Sequence, residues 1–155
     1  MTEPTSPARV PPTLAEVVQR LSIASREERT ETLLEYADRF ESVPPEVATR
    51  PFSERHRAPY CESEAYAWAV DRPDGTLDFH FAVENPQGIS AMAWAVLLSE
   101  TLSGRPLDEV LAVPPEVVRN IFGNEVSMGK GLGLMGMLDL VKHEARLRIV
   151  RARRA

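Results

Sequence analysis

The sequence of 155 residues contains a single cysteine, Cys61. One thiol excludes an intrachain disulfide framework, and it excludes any zinc or iron–sulfur site that takes several thiolates from one chain. The chain also lacks an apolar run of the roughly 18–20 residues that a membrane-spanning helix needs. Residues 1–12 are rich in proline and contain no apolar stretch typical of a secretory leader. We therefore expect this segment to be flexible and the protein to be cytoplasmic.

Charge is distributed unevenly along the chain. The sequence has 18 Lys and Arg residues against 23 Asp and Glu residues, a net charge of −5, yet its last ten residues contain five arginines and no acid. The rest of the chain is therefore acidic and would repel phosphate backbones, so we do not expect nucleic acid as the main partner. We expect Arg146 and Arg148 to end a helix, where the helix dipole favours cations, and the basic tail, 148–155, to fray.

Hydrophobic spacing predicts helices at both ends of the chain and a β-hairpin between them. Thr13 with Glu16, and Ser25 with Glu28, have the spacing of capping boxes ahead of two amphipathic helices. The next predicted elements are strands at 65–70 and 77–81 around a turn at 72–75, then a helix over 87–102 capped by Asn85 and Pro86, a helix over 115–122 and a long helix from about 128. This order predicts an α+β fold, in which a small antiparallel sheet packs on helices, with one domain over residues 13–147.

Two glycine-rich patterns near residue 131 do not predict a nucleotide site. Residues 131–136 match the spacing of a dinucleotide-binding loop, but no strand precedes them and no βαβ pattern surrounds them. Gly129-Lys130 resembles a phosphate loop, but Gly123 lies one residue too far upstream and Gly131 replaces the hydroxyl residue that would hold magnesium. We interpret these glycines as positions where a helix starts close to a neighbouring backbone.

The three histidines predict neither a metal site nor a hydrolase. His56, His80 and His143 are scattered along the chain. Neither His80 nor His143 has a second histidine at ligand spacing on its own face. The sequence also has no nucleophile-elbow pattern for Ser/His/Asp hydrolysis. We therefore expect no metal site, and Cys61 is the remaining candidate for chemistry.

Cys61 stands between a polar segment and the first hairpin strand. Residues 62–64 after it are polar, and Pro59 restricts the backbone before it, which favours a defined loop tip over a core position. Potential cations at 55–57 favour a thiolate whereas the nearby carboxylates oppose it, so the residues leave the charge balance open. A lone cysteine is also often a small buried hydrophobe, and this alternative stays open as well.

The segment 59–63, Pro-Tyr-Cys-Glu-Ser, is followed by an aromatic-bearing strand and resembles the active-site loop of the SufE family. Members of that family accept sulfur from cysteine desulfurases in iron–sulfur cluster assembly. The resemblance extends over residues 13–147 in the order of helices, cysteine loop and hairpin, and it implies a SufE/IscU-like fold. Residues 84–91 stand where the family has a Ser-Asp-led helix start. Residues 127–134 with Met137 are similar to the family's Ser-x-x-Arg-x-x-Gly-Leu-x-x-Met.

The resemblance implies a sulfur carrier rather than an autonomous enzyme. Cys61 would be the persulfide-carrying nucleophile that takes sulfur from a SufS-like cysteine desulfurase, stimulates that enzyme and passes the sulfur to a SufBCD-like iron–sulfur scaffold. We expect Tyr60, Glu62, Ser63 and Lys130 to bind the partner. We expect no cofactor on this chain beyond a transient persulfide, because the pyridoxal phosphate belongs to the desulfurase. One thiol suffices for carrying sulfur but not for building a cluster, which takes several ligands.

The chain departs from the family pattern at three positions. Lys130 replaces the usual arginine and loses its bidentate fork, Asn85 replaces an aspartate, and Ser90 replaces a lysine. Two alternatives to the carrier remain. One is a non-catalytic regulatory module that docks on a desulfurase while Cys61 is structural. The other is a thiol-dependent hydrolase that uses Cys61 and His56, although no third orienting residue is identifiable.

Overall fold

The computed structural model describes residues 10–154, apart from the side chain of Glu125. Within that range the elements are, in order, helices α1 (Pro12–Ser22) and α2 (Arg26–Asp38), strands β1 (Ala65–Asp71) and β2 (Leu77–Val83), and helices α3 (Ile89–Leu102), α4 (Leu107–Leu111), α5 (Glu116–Phe122) and α6 (Met128–Arg154). The two strands form an antiparallel sheet that packs on helices, so the predicted α+β class is confirmed. Most of the segment predicted to be flexible, 1–12, lies outside the described residues, and Pro12 begins α1.

The hairpin forms where the alternating pattern predicts it, with strands one or two residues longer. β1 pairs with β2 from Ala65 opposite Val83 to Asp71 opposite Leu77. Gly75 in the connecting turn has a φ of 86°, a left-handed conformation that glycine adopts without a steric penalty. The turn therefore accounts for the glycine in this part of the sequence.

The two faces of the hairpin pack against different clusters, because successive side chains of a strand point to opposite faces. Phe79 and Phe81 lie in the main core together with Trp94 of α3. Trp68 belongs to a second cluster on the other face. Its further members are Val43, Tyr66 and Ala82, with Val47, Ala48 and Phe52 packed against them. The chain between α2 and β1 thus covers the outer face of the sheet.

Helices α3 and α6 supply much of the main core. Trp94, Leu97 and Leu98 of α3 are fully buried, as the nearly all-apolar sequence of this helix predicts. The predicted apolar stripe of α6 is confirmed, and its buried members are Leu134, Met137, Leu138, Val141 and Ala145. Trp94 Nε1 donates a hydrogen bond to the Leu134 carbonyl oxygen at 2.9 Å. This bond joins α3 to the N-terminal half of α6.

The two predicted capping boxes have different outcomes. Ser25 caps α2 as predicted: its hydroxyl accepts from the Glu28 amide at 3.2 Å, and the Ser25 amide donates to the Glu28 carboxylate at 3.4 Å. The box at Thr13 is wrong, because α1 begins at Pro12 with Pro11 as its N-cap and no side-chain cap bond. Proline at the first helical position has a preset φ and no amide to satisfy, so the helix begins there without a hydroxyl cap.

The predicted N-cap of α3 is also wrong. The Asn85 side-chain oxygen accepts from the Gln87 amide at 2.9 Å, and the Asn85 carbonyl accepts from the Gly88 amide at 2.9 Å. These bonds form a turn, after which α3 begins at Ile89. The asparagine bonds its own neighbouring backbone, as this residue type does in turns, and so does not cap the helix. Helix α4 was not predicted, since its five residues are too few to show a helical period.

Helix α6 continues through Arg154, so the prediction that the basic tail frays is wrong for its described residues. Arg148 holds this end of the helix to the hairpin. Its guanidinium pairs with Asp71 at 3.1 Å, donates to the Ala69 carbonyl at 3.3 Å and pairs with Glu144 on the preceding turn. Despite the 27 residues of α6, no helix among the described residues combines enough length and apolar character to cross a membrane.

Candidate functional site

Cys61 lies in a loop of residues 59–64, which we call the thiol loop. It follows a 3-10 turn at Glu54–His56 and leads directly into β1. On its N-terminal side the Ala58 amide donates to the Ala65 carbonyl at 2.8 Å, and within it the Glu64 amide donates to the Cys61 carbonyl at 3.2 Å. The loop is therefore closed at its base by the start of β1.

The C-terminal side of the thiol loop is bonded to the chain that leaves β2. The Glu84 amide donates to the Glu64 carbonyl at 3.1 Å, and the Asn85 amide donates to the Ser63 carbonyl at 3.2 Å. Glu84 also forms an ion pair with Arg50 at 2.9 Å, and this hydrogen bond raises the pKa of the guanidinium above its ordinary value. The bonds anchor the loop at both ends and leave residues 59–62 as its least restrained part.

The backbone of the thiol loop carries two unfavourable conformations. Tyr60 has a φ of 59° and Glu64 a φ of 52°. Residues other than glycine rarely adopt this left-handed region, because Cβ approaches the following carbonyl oxygen. The surrounding contacts must offset this strain, which is a common feature of functional loops.

Cys61 is 8% exposed and packs in the main core, yet it lines two openings to solvent. One opening, the polar groove, has a volume of about 360 Å³. The other, the outer depression, is wider, with a volume of about 720 Å³. Cys61, Glu62 and Gly129 line both openings. Cys61 is therefore nearly buried without being enclosed. The sequence left open an exposed loop tip and a buried core position, and the structure lies between them.

The polar groove brings together residues that are distant in sequence. Ser63 of the thiol loop, Asn85 and Ser90 around the start of α3, and Lys130 in the first turn of α6 all line it with Cys61. All three positions that depart from the family pattern thus lie in one groove beside the thiol. Sequence reasoning identified each position but gave no reason to place them together.

Charges near the thiol are of both signs. Arg57 pairs with Glu54 at 3.5 Å beside the outer depression. Lys130 is exposed and forms no ion pair with any other residue that the structure describes. Glu62 lies between the two openings. Among the side chains that the structure describes, Lys130 is therefore a groove cation without an ion-pair partner, and it can attract an incoming anionic group.

Exposed apolar side chains concentrate around the thiol, and we call this set the apolar rim. Its members are Leu34, Tyr60, Ile89, Met128 and Leu132. Tyr60 and Leu132 line the outer depression and Ile89 lines the polar groove. Leu34 and Met128 line adjoining hollows that share Ile89 and Leu132 with those openings. Tyr60 and Met128 are 81% and 85% exposed, values unusual for such large side chains.

Sequence reasoning missed the rim residues other than Tyr60. Met128 and Leu132 are four residues apart in α6 and fall outside its buried stripe. An apolar pair away from the core stripe is the signal that could have identified them. Leu34 and Ile89 gave no comparable signal, because each lies in a helix whose other apolar residues were assigned to the core.

The histidines lie apart from the thiol. His56 Nδ1 is 3.0 Å from the Ala67 carbonyl oxygen, and its ring stacks on Trp68 with centroids 5.3 Å apart. It does not line either opening at Cys61, so nothing in its placement supports a Cys61–His56 pair. Within residues 10–154, no group of three His, Cys, Asp or Glu side chains has the arrangement of a metal site.

The thiol loop lies directly on α6. Gly133 and Gly136 face its backbone, so the interpretation of these glycines as a close-approach surface is confirmed. Gly129 and Gly131 face open space, and the interpretation is wrong for them. The loop can approach α6 this closely only because the helix has glycine, which has no side chain, at positions 133 and 136.

Comparisons with known proteins agree with this architecture. Residues 15–145 match the model of the SufE family, described as an Fe-S metabolism associated domain. The chain is 24% identical over 143 residues to SufE-like proteins of two Mycobacterium tuberculosis strains, CDC 1551 / Oshkosh and ATCC 25618 / H37Rv, and covers 97% of each. A solution structure of a hypothetical protein from Thermus thermophilus superposes with a TM-score of 0.73 at 27% identity, over 91% of this chain and 98% of that one.

Proposed function

This chain belongs to the SufE family, a domain associated with Fe–S metabolism, and we propose that it is a sulfur carrier that accepts persulfide sulfur from a cysteine desulfurase on Cys61. In this proposal the chain also stimulates the desulfurase by removing its persulfide. It then passes the sulfur to an iron–sulfur scaffold of the SufBCD type in the cytoplasm. Family membership supports the association with Fe–S metabolism, and the geometry around Cys61 supports the specific role.

The proposed transfer is a thiol exchange. The Cys61 thiolate attacks the outer sulfur of the persulfide on the desulfurase, so an S–S bond forms at Cys61. The S–S bond of the donor breaks, and its inner sulfur leaves as a thiolate with the bonding electron pair. The sum of the two changes involves no net oxidation, so neither an oxidant nor a metal is required. A scaffold thiolate then repeats the exchange on the Cys61 persulfide.

The observation that carries the proposal is the apolar rim around a thiol with two openings. An enzyme for a small substrate usually encloses that substrate in a concave pocket. Here Tyr60 is 81% exposed and lines the outer depression, while Met128 is 85% exposed and lines an adjoining hollow. Such exposed apolar side chains favour contact with another protein. The thiol therefore lies where a second macromolecule would bring its own sulfur.

The proposed partner surface extends the predicted one. Tyr60, Glu62 and Ser63 belong to the thiol loop, and Lys130 lies across the polar groove from it. Met128 joins them from the start of α6, one helical turn from Leu132 of the rim. Cleavage of the C–S bond of cysteine needs pyridoxal phosphate, and we assign that cofactor to the desulfurase.

The regulatory module remains the second candidate, and the burial of Cys61 favours it. A side chain that is 8% exposed within the hydrophobic core is also what a purely structural cysteine shows. In that case the rim would still dock on a desulfurase, but sulfur would never reach this chain. The two candidates therefore predict the same complex and differ only in the use of the thiol.

Desulfurase turnover separates the two candidates. The rate of alanine formation from cysteine is measured for a cysteine desulfurase of the same organism, with and without this chain. The carrier predicts that the wild type raises turnover and that Cys61→Ser does not. Equal stimulation by the variant would overturn the carrier in favour of the regulatory module. No stimulation by either protein would contradict both.

A further inference from the structure

We propose that Gly133 and Gly136 of α6 form a seat for the thiol loop, and that this seat sets how far Cys61 is exposed. The proposal assigns a positioning role to these two glycines, of which Gly133 also lines the polar groove. Its structural part, the position of the loop, is independent of the proposed function. Its consequence for sulfur transfer rests on that function.

Gly133 lies against the residue that bears the thiol. A Cβ placed on Gly133 would be 3.0 Å from the Cys61 Cα, 3.3 Å from the Cys61 Cβ and 3.3 Å from the Tyr60 carbonyl oxygen. All three distances are shorter than ordinary van der Waals contacts between such atoms. Two of the three atoms are backbone, so a rotamer change cannot relieve the crowding.

Gly136 lies one helical turn further along and supports the start of the same loop. A Cβ at this position would be 2.7 Å from the Pro59 carbonyl oxygen, which requires the loop to shift. The contrast with the rest of the helix is informative, because Cβ atoms at Gly129 and Gly131 would meet nothing within 4 Å. Glycine is unfavourable inside a helix, so a close approach gives a physical reason for it at 133 and 136.

The loop is the part that must yield when the seat is filled. α6 is fixed beside Gly133 by the hydrogen bond from Trp94 to the Leu134 carbonyl. The ends of the loop are bonded to β1 and to the exit of β2. Displacement therefore falls on residues 59–62, and it lifts Cys61 off the helix against which it is packed. The positive φ of Tyr60 means that the closed conformation is already strained, so a small change at the seat suffices.

Alkylation of Cys61 by iodoacetamide tests the position of the loop without any partner. We expect Gly133→Ala and Gly136→Ala each to raise the alkylation rate of the folded protein roughly ten-fold, which corresponds to about 1.4 kcal/mol less favourable closure. Gly131→Ala is a matched control in the same helix, because its added Cβ would meet nothing within 4 Å and it lines neither opening at Cys61, and we expect its rate to equal the wild-type rate. Val110→Ala, a fully buried position in α4, controls for a general loss of stability and should also leave the rate unchanged.

If Gly133→Ala and Gly136→Ala were alkylated at the same rate as the matched control, the proposed role of the two glycines would be contradicted. An equal rise in the alkylation rate of Val110→Ala would also contradict the proposal, because exposure of Cys61 would then follow from a general loss of stability. The same proteins are next given sulfur by a desulfurase, and we expect faster loading of the two seat variants. If the alkylation rates differ as expected but the wild type takes up no sulfur, the seat stands and the proposed function fails.

Discussion

At the scale of single residues, Lys130 is the charged side chain whose surroundings point most clearly to a role with the thiol. It lines the polar groove with Cys61 and forms no ion pair within the described part of the chain. Because no described carboxylate pairs with it, this exposed ammonium group can attract anions without first giving up an ion pair. A persulfide and a thiolate are both anions, so the cation favours their approach to the groove.

Replacing Lys130 should therefore slow sulfur loading while leaving the fold intact. We expect Lys130→Ala to reduce the initial loading rate roughly five-fold at low ionic strength, since an exposed charge pair contributes up to about 1 kcal/mol. Lys130→Arg keeps the charge and should load at close to the wild-type rate. Arg146→Ala removes an exposed cation elsewhere on α6 and serves as the control. Similar losses in the alanine and arginine variants would show that the charge is not what matters.

The residue scale also shows where sequence reasoning stops. Cys61 could be identified because it is the sole thiol and its neighbours are polar. The sequence predicted a close approach for all four glycines, but it could not identify Gly133 and Gly136 as the two that face the thiol loop, because the pattern is the same whether a glycine faces a backbone or open water. Only the path of the thiol loop across α6 separates these two from Gly129 and Gly131.

At the scale of elements, the first residues of α1 and α2 show when a capping-box pattern in the sequence correctly predicts a helix N-cap. Ser25 caps α2 with both bonds of a capping box, whereas Thr13 has the same spacing and is exposed inside α1. The pattern of a serine or threonine followed by a glutamate three residues later is satisfied by both sites. Pro12 decides between them, because a helix that begins at a proline needs no hydroxyl there.

Alanine substitutions at Ser25 and Thr13 should have different effects on the free energy of unfolding. Ser25→Ala leaves the Glu28 amide without its acceptor and should lower the free energy of unfolding by about 1 kcal/mol. Thr13→Ala removes no cap and should be neutral or slightly stabilising, because alanine is the better helix former. Urea denaturation followed by circular dichroism measures both. A comparable loss in the Thr13 variant would mean that its hydroxyl does cap α1.

Elements with a repeated hydrophobic pattern were predicted best, for a physical reason. The stripe of α6 and the alternation of the hairpin each repeat several times, so one irregular residue does not hide the period. Helix α4 has five residues and shows no repeat. The start of α3 was misplaced because Asn85 can bond to its own neighbours or cap a helix, and only the surrounding chain selects between them.

At the scale of the whole molecule, the site is a product of the fold. The thiol loop precedes β1, is bonded to the exit of β2, and rests on the start of α6 beside the start of α3. No short segment contains the groove, so its lining could not be read from any local pattern. The family resemblance ordered the segments correctly along the chain, and folding places Asn85, Ser90 and Lys130 in one groove with Cys61.

The intact mass of this chain after incubation with a sulfur donor tests most directly the claim that Cys61 carries sulfur. The protein is incubated with a cysteine desulfurase of the same organism, pyridoxal phosphate and cysteine, and its mass is recorded without reductant. We predict a gain of one sulfur atom that is lost on reduction and absent from Cys61→Ser. An unchanged mass in the wild type, while the desulfurase turns over, would contradict the account.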